Sequence, residues 1–215
     1  MINEIITPNW PVAQKKYEML MLQELMKYSK VERVLEIGTW TGGTALLWAQ
    51  MVSRHEQGIV YCCDQSFYYG KHYALEPGYN VLREYSVQAY SHTPYNKFVK
   101  ELMGDTHDPE FIKKVASEIG GPNIDFLFID GDHSYEGVKL DYLNYSQTVK
   151  PGGWIAFHDI RDTEDHQSRG CFVAQFWNEL KQQHYHWEFI DDNEYPGMPD
   201  KIPSKCMGIG VIRKQ

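Results

Sequence analysis

Five acidic side chains each close a short apolar or mixed run: Glu36, Asp64, Asp105, Asp130 and Asp159. A carboxylate at the end of one such run is an ordinary helix cap. Five in succession would converge on one rim of a sheet, where like charges need cationic or hydrogen-bonding partners. The first of them opens the most distinctive stretch of the chain, Val34-Leu-Glu-Ile-Gly-Thr-Trp-Thr-Gly-Gly-Thr44. Apolar run, glycine turn and helical periodicity from Thr44 onward give a strand–turn–helix unit, whose helix N-terminus lets a ligand approach backbone N–H groups. The glycine spacing is Glu36-x-Gly38-x-x-x-Gly42, not the G-x-G-x-x-G of dinucleotide sites.

The elements that must position these acids alternate along the chain. Residues 12–29 carry apolar positions at helical spacing behind Pro11, and a strand follows over 33–37. Residues 58–63 form a second strand ending at Asp64, and 98–103 a weaker third before Gly104-Asp105-Thr106. Pro109 and Glu110 open a helix to 119. The strongest strand is Ile124-Asp-Phe-Leu-Phe-Ile129, ending at Asp130. A helix over 135–149, a turn at Lys150-Pro-Gly-Gly153 and a strand over 154–157 lead to His158 and Asp159. A helix over 171–183 and strands over 187–190 and 208–213 complete the pattern. Strands alternating with helices predict a three-layer α/β fold with a mainly parallel sheet. Two stretches fall outside the alternation. Residues 65–97 are broken by Gly70, Pro77, Gly78 and Pro94, and residues 191–205 are rich in proline; long loops of this kind wall functional sites or move.

Length and composition fit one globular domain over 1–215, with residues 1–30 as an N-terminal helical segment. The net charge of −8, with Lys and Arg scattered, argues against a nucleic-acid partner. No run is long and apolar enough to span a bilayer, and the N-terminus lacks the pattern of a signal peptide. Cys62, Cys63, Cys171 and Cys206 lack C-x-x-C spacing, which predicts reduced thiols and a cytoplasmic protein.

The strand-end pattern resembles the class I S-adenosylmethionine-dependent methyltransferases, along nearly the whole chain. The resemblance implies a Rossmann-like fold: a mainly parallel seven-stranded sheet with an antiparallel last strand. In that family the first turn wraps the methionine portion of the cofactor. Carried over, Glu36, Gly38, Thr39, Trp40, Gly42 and Thr44 would hold it. Asp64, with Gln65, would bind the ribose hydroxyls, and two carboxylate oxygens suit two vicinal hydroxyls. Asp105 and Thr106 would lie at the adenine, and Asp130 would complete the cofactor rim.

Phe128-Ile-Asp-Gly-Asp-His-Ser-Tyr135 and Pro151-Gly-Gly-Trp-Ile-Ala-Phe-His-Asp159 resemble a narrower group. These are the small-molecule O-methyltransferases of the catechol, caffeoyl-coenzyme A and macrolide-sugar type (methyltransferase family 24-like). The resemblance implies a hydroxylated small-molecule acceptor and a divalent metal on Asp130, His158 and Asp159. The chain departs from the group at His158, where an acid is usual. Magnesium prefers oxygen ligands and imidazole suits other metals, so His158 either changes the metal or packs metal-free at the strand end. His133, three residues after Asp130, is the first candidate base: an unperturbed imidazole titrates near pH 6.5. Asp132 is the second. The competing reading makes Gly131-Asp-His-Ser a tight turn facing water.

Tyrosine is the compositional oddity, with seven between Tyr68 and Tyr95. Tyr68, Tyr69, Tyr73, Tyr79 and Tyr95 could line an acceptor pocket, and structural or homo-oligomer contacts are the favoured alternative. Trp10 and Trp40 could each touch ligand. His72, His92, His107, His184 and His186 lack a ligand constellation and are expected at the surface. The sequence therefore predicts S-adenosylmethionine-dependent O-methylation of a small metabolite or sugar. A non-catalytic cofactor-binding scaffold on the same fold stands as the alternative, and a dinucleotide oxidoreductase as a weaker one.

Overall fold

The computed structural model describes residues 14–65, 72–75, 82–85, 89–192 and 207–215. In chain order the elements are α1 (Lys16–Tyr28), β1 (Arg33–Ile37), α2 (Gly43–Val52), β2 (Ile59–Asp64), β3 (His72–Leu75) and β4 (Leu82–Tyr85). Then follow β5 (Val99–Met103), α3 (Pro109–Ile119), β6 (Ile124–Ile129), α4 (Tyr135–Tyr145) and β7 (Val149–His158). The chain ends with α5 (Glu164–Ser168), α6 (Val173–Leu180), β8 (His186–Phe189) and β9 (Ile209–Arg213).

Seven strands form one sheet in the order β5-β2-β1-β6-β7-β9-β8. The first five of these pair in parallel, and β9 runs antiparallel to both β7 and β8. After β1 the chain builds outward through β2 and β5, then returns to lay β6 on the other side of β1. That reversal is a topological switch point, and the crevice outside the carboxyl ends of β1 and β6 is where such sheets bind ligands. Burial on both faces explains why β6 is apolar but for Asp125, whose Oδ2 accepts the Glu32 and Arg33 N–H groups: all six of its residues are buried. Two clusters cover the sheet. Met19, Leu22 and Trp48 of α1 and α2 pack on Phe126 and Phe128 from one side. Val115, Val138 and Trp177 of α3, α4 and α6 pack on Leu35, Leu127 and Phe157 from the other.

Most predicted elements are present within a few residues, and α3 matches at both ends. Asp108 caps it by accepting the Glu110 N–H, Pro109 occupies its first turn, and Gly120 ends it in a left-handed conformation. Three differences have local causes. The predicted turn at 150–153 lies inside β7 as an irregularity, with the register to β6 shifting between Ile124 and Phe126. Residues 65–97 hold a hairpin, with β3 and β4 antiparallel from His72↔Tyr85 to Leu75↔Leu82. α5 is one short turn capped by Thr163, too brief to show periodicity.

Tyr90 is buried in the core, its hydroxyl donating to Glu101 at 2.7 Å, and Tyr95 packs against the same cluster. Those two tyrosines serve packing. Trp10, Tyr68, Tyr69, Tyr79 and Cys206 lie outside the described residues, as does most of 191–205; Tyr73 and Tyr85 are described by backbone pairing alone. No helix among the described residues is long and apolar enough to cross a membrane.

Candidate active site

One side of the rim, around the β1–α2 turn, is built from backbone. Gly38 adopts φ +84°, and a Cβ there would stand 2.1 Å from the Asp130 carbonyl oxygen, so only glycine fits between β1 and β6. Gly42, at φ 76°, is the N-cap of α2 and supplies no side-chain cap. No N-cap side chain thus occupies the first N–H groups of α2, which suit an anionic group. Asp64 fixes the turn from the side: its Oδ2 accepts the N–H groups of Thr39 (2.9 Å) and Trp40 (2.8 Å). Trp40 itself is strained at φ 44° and 52% exposed.

Glu36 supports the turn from below. It is fully buried, and its Oε1 accepts the Trp48 indole N–H at 2.9 Å. Burial pushes its pKa up to about 7, against hydrogen bonds from Thr44 and Trp48 that favour the charged form. Thr39 is buried beside it, and Gln65 is exposed beyond β2. Asp105 is exposed after β5, where its Oδ1 accepts the His107 N–H at 2.9 Å. The Thr106 carbonyl accepts the Tyr145 hydroxyl. His107 is not the free surface residue expected: its Nε2 lies 3.1 Å from Oδ1 of Asp141, a carboxylate that burial raises to about 6.

The other side is built from charged side chains. Asp130 donates its N–H to the Ile37 carbonyl at 2.8 Å, which locks the end of β6 to the start of the glycine turn. Its Oδ2 accepts Gln14 Nε2 at 2.7 Å, and its Oδ1 faces His158 Nδ1 at 3.1 Å and His133 Nε2 at 3.3 Å. Burial alone would raise the Asp130 carboxyl. The His158 charge and the bonds from both histidines outweigh it and hold the group below the usual carboxylate range.

His158 is 4% exposed, and although burial opposes its charge, Asp159 and Asp130 push its pKa up to about 10. Asp159 stands at φ +60°, a left-handed backbone that a non-glycine residue rarely adopts. That backbone sets its carboxylate among three imidazoles: His166 Nε2 at 3.4 Å, His158 Nδ1 at 3.5 Å and His133 Nε2 at 3.7 Å.

His133 keeps 43% of its side chain exposed, so an acceptor can reach it. The hydrogen bond it donates to Asp130, followed by the charges of Asp130 and Asp159, raises its pKa against the effect of burial. Asp132 points elsewhere. Its Oδ1 accepts the Ser134 N–H at 2.8 Å, and its carboxyl packs so closely on Gly137 that a Cβ there would clash with it. Asp132 thus organises the start of α4. Its pKa is lowered by the Ser134 N–H despite partial burial, which makes it a weak base.

The metal expected at Asp130, His158 and Asp159 meets the requirement of spacing, since one ligand atom from each lies within 4.8 Å of the others. The chemistry differs. His158 Nδ1 lies between two carboxylates that can only accept, so it carries a proton, and its buried Nε2 has no hydrogen-bond partner among the described residues. A protonated ring occupies the position of a cation between the acids. As arranged, these residues do not fit a magnesium-type ion, which takes oxygen ligands.

Four residues at the rim escape sequence reasoning: Gln14, Glu18, His166 and Cys171. Gln14 and Glu18 arrive on the N-terminal segment, and Glu18, buried near His158, is raised by that burial to about 7. His166 and Cys171 arrive between β7 and α6. None sits in a spacing pattern with the strand ends, so nothing local in the sequence marks them.

The sequence profile of a family described as a methyltransferase domain matches residues 35–160, from β1 to just beyond β7. The match covers more than half of the 215 residues, and the chain belongs to this methyltransferase family. Its fold is similar to that of a candidate caffeoyl-CoA O-methyltransferase from Staphylococcus aureus. The TM-score is 0.64 at 14% identity, over 96% of this chain and 86% of that one. It is also similar to an O-methyltransferase from Bacillus cereus in complex with SAH, with a TM-score of 0.61 at 16% identity, over 91% and 79%. Among curated proteins, the uncharacterized protein y4gI of Sinorhizobium fredii is 23% identical over 148 residues. That alignment covers 69% of this chain and 15% of the relative, so the chain spans a small part of that protein's length.

Proposed function

We propose that this chain is a single-domain, cytoplasmic O-methyltransferase that uses S-adenosylmethionine to methylate a hydroxyl of a small metabolite or sugar. The observation that carries the reading is the union of two half-sites at the switch point. The uncapped N-terminus of α2 and the exposed imidazole of His133 are joined through Asp130, whose N–H bonds Ile37 and whose carbonyl abuts Gly38. When bound, the cofactor supplies an electrophilic methyl group on a sulfonium. The residues fit it in kind: open N–H groups with Thr44 for its carboxylate, and acceptors at Asp64, Gln65, Asp105 and Thr106 for ribose and adenine. Glu36, Gly38, Thr39, Trp40, Gly42 and Asp130 shape the wall around the methionine portion.

His133 then does the proton chemistry. Its Nε2–H donates to Asp130 at 3.3 Å, so Nδ1 is the nitrogen that accepts the proton of the acceptor hydroxyl, and Asp130 stabilises the imidazolium that results. Because Asp130 already favours the charged ring, the free base must form first, and turnover rises with pH through a value above 6.5. Phe172, 40% exposed, donates its N–H to the His133 carbonyl and fixes the backbone of the base. Placement of donor and acceptor supplies much of the remaining acceleration.

Calorimetry with S-adenosylmethionine and S-adenosylhomocysteine tests the reading. Stoichiometric binding of both is expected, and heat from neither would reject it. Binding without turnover across a broad panel of hydroxylated acceptors would favour the scaffold alternative instead.

A further inference from the structure

Beside the Asp130–His158 pair lies a second cluster that the proposed transfer leaves partly unused. His133, Asp159 and Cys171 each place one donor atom within 4.8 Å of the others, with Asp159 and Cys171 buried and His133 exposed. Asp159 serves the two clusters with different oxygens. Its Oδ1 faces His158 and His166, while its Oδ2 faces His133.

We propose that His133, Asp159 and Cys171 form a binding site for a thiophilic divalent cation of the zinc class. Sulfur, imidazole nitrogen and carboxylate oxygen together select zinc-like ions and exclude magnesium. Three protein ligands with an open position are the donor count of an accessible zinc centre. Cys171 is 7% exposed just before α6, where burial and the Asp159 charge push its thiol up to about 12 against the Val173 N–H that donates to its sulfur, so the sulfur keeps its proton until a cation displaces it.

The backbone holds the donors in register. The Cys171 N–H bonds the His166 carbonyl at 2.9 Å, and the Phe172 N–H bonds the His133 carbonyl at 2.8 Å. The left-handed backbone of Asp159 turns its carboxylate toward the same point. Exposed His133 provides the entry path. On binding, the thiol proton leaves to solvent and the sulfur–metal bond takes its place.

The consequence rests on the proposed function. A ligated imidazole cannot take the acceptor proton, so cation loading silences methyl transfer at the step where His133 acts.

Cobalt(II) titration of the full chain, without S-adenosylmethionine, tests the site through the near-ultraviolet thiolate-to-cobalt absorption band. One saturable cobalt per chain is expected, displaced by zinc, with the band absent in Cys171→Ser. His133→Gln, at an exposed position, should weaken binding by more than the ~10–100-fold that loss of a supporting hydrogen bond costs. Circular dichroism establishes that each variant is folded, and His133→Gln carries the test if Cys171→Ser is not. No band in the wild type, an equal band in Cys171→Ser, or unchanged affinity in His133→Gln would each overturn the site. Because this readout needs no cofactor, it stands apart from failure of the transferase reading. In the transfer assay zinc should stop the wild type and spare Cys171→Ser; equal sensitivity of the two would overturn the regulatory consequence.

Discussion

The two halves of the rim lie side by side and are made of different material. The β1–α2 turn is a backbone structure: glycines at φ +84° and 76°, amide N–H groups gathered by Asp64, and a buried acid beneath. The ends of β6 and β7 are a side-chain structure: two carboxylates, three imidazoles and an amide from the N-terminal segment. The difference shows in their acids. Glu36, buried among neutral donors, is pushed toward its protonated form, whereas Asp130, half-buried among imidazoles, is held ionised. Burial is common to both, and the charge of the neighbours decides the sign.

The largest effect should come where the halves meet. Gly38→Ala places a methyl group against the Asp130 backbone and a left-handed conformation on a residue that disfavours it. Destabilisation of at least ~3 kcal/mol is expected by denaturant titration, with loss of cofactor heat in calorimetry. Near wild-type stability and binding would mean that the two halves are not rigidly joined. His133→Ala separates them: transfer should fall by about 10²–10⁴ while cofactor affinity stays near wild type. Equal losses in both measurements would erase the division between a cofactor half and an acceptor half.

The same contrast explains what the sequence discloses. Backbone-built features leave local marks, since a left-handed turn needs glycine and a doubly buried strand needs an apolar run. Gly38, Gly42 and the strands β1, β2 and β6 are legible on those grounds. Side-chain-built features are assembled from remote segments. Gln14 reaches Asp130 across 116 positions, a pairing that no spacing rule encodes. Asp132 and His133 are adjacent in sequence, and residue type alone ranks His133 ahead of Asp132 as a base without excluding either. Only the fold shows that one packs on Gly137 while the other faces the carboxylates. The hairpin of β3 and β4 was hidden for a related reason, because short strands flanked by glycine and proline carry too few residues to show a period.

The smallest effect sharpens the electrostatic half of the comparison. In the native protein Glu36 holds its proton up to a pH of about 7, and in the unfolded chain it ionises near 4.5. Between those values the unfolded state has released a proton that the native state still binds, so raising the pH favours unfolding. Stability should therefore decline from about pH 4.5 to about pH 7 through this group and carry a constant cost above. Glu36→Gln keeps an oxygen for the Trp48 indole and removes the ionisation. Its thermal midpoint should stay flatter over the same interval, by a few degrees in a chain of this size. Asp130 responds with the opposite sign, giving up stability as pH falls through its depressed pKa, so the two contributions separate along the pH axis. A Glu36→Gln profile parallel to the wild type across pH 4.5–7 would show that the acid beneath the turn is ionised in the native state. The contrast between a neutral, backbone-built half and a charged, side-chain-built half would then lose its electrostatic basis.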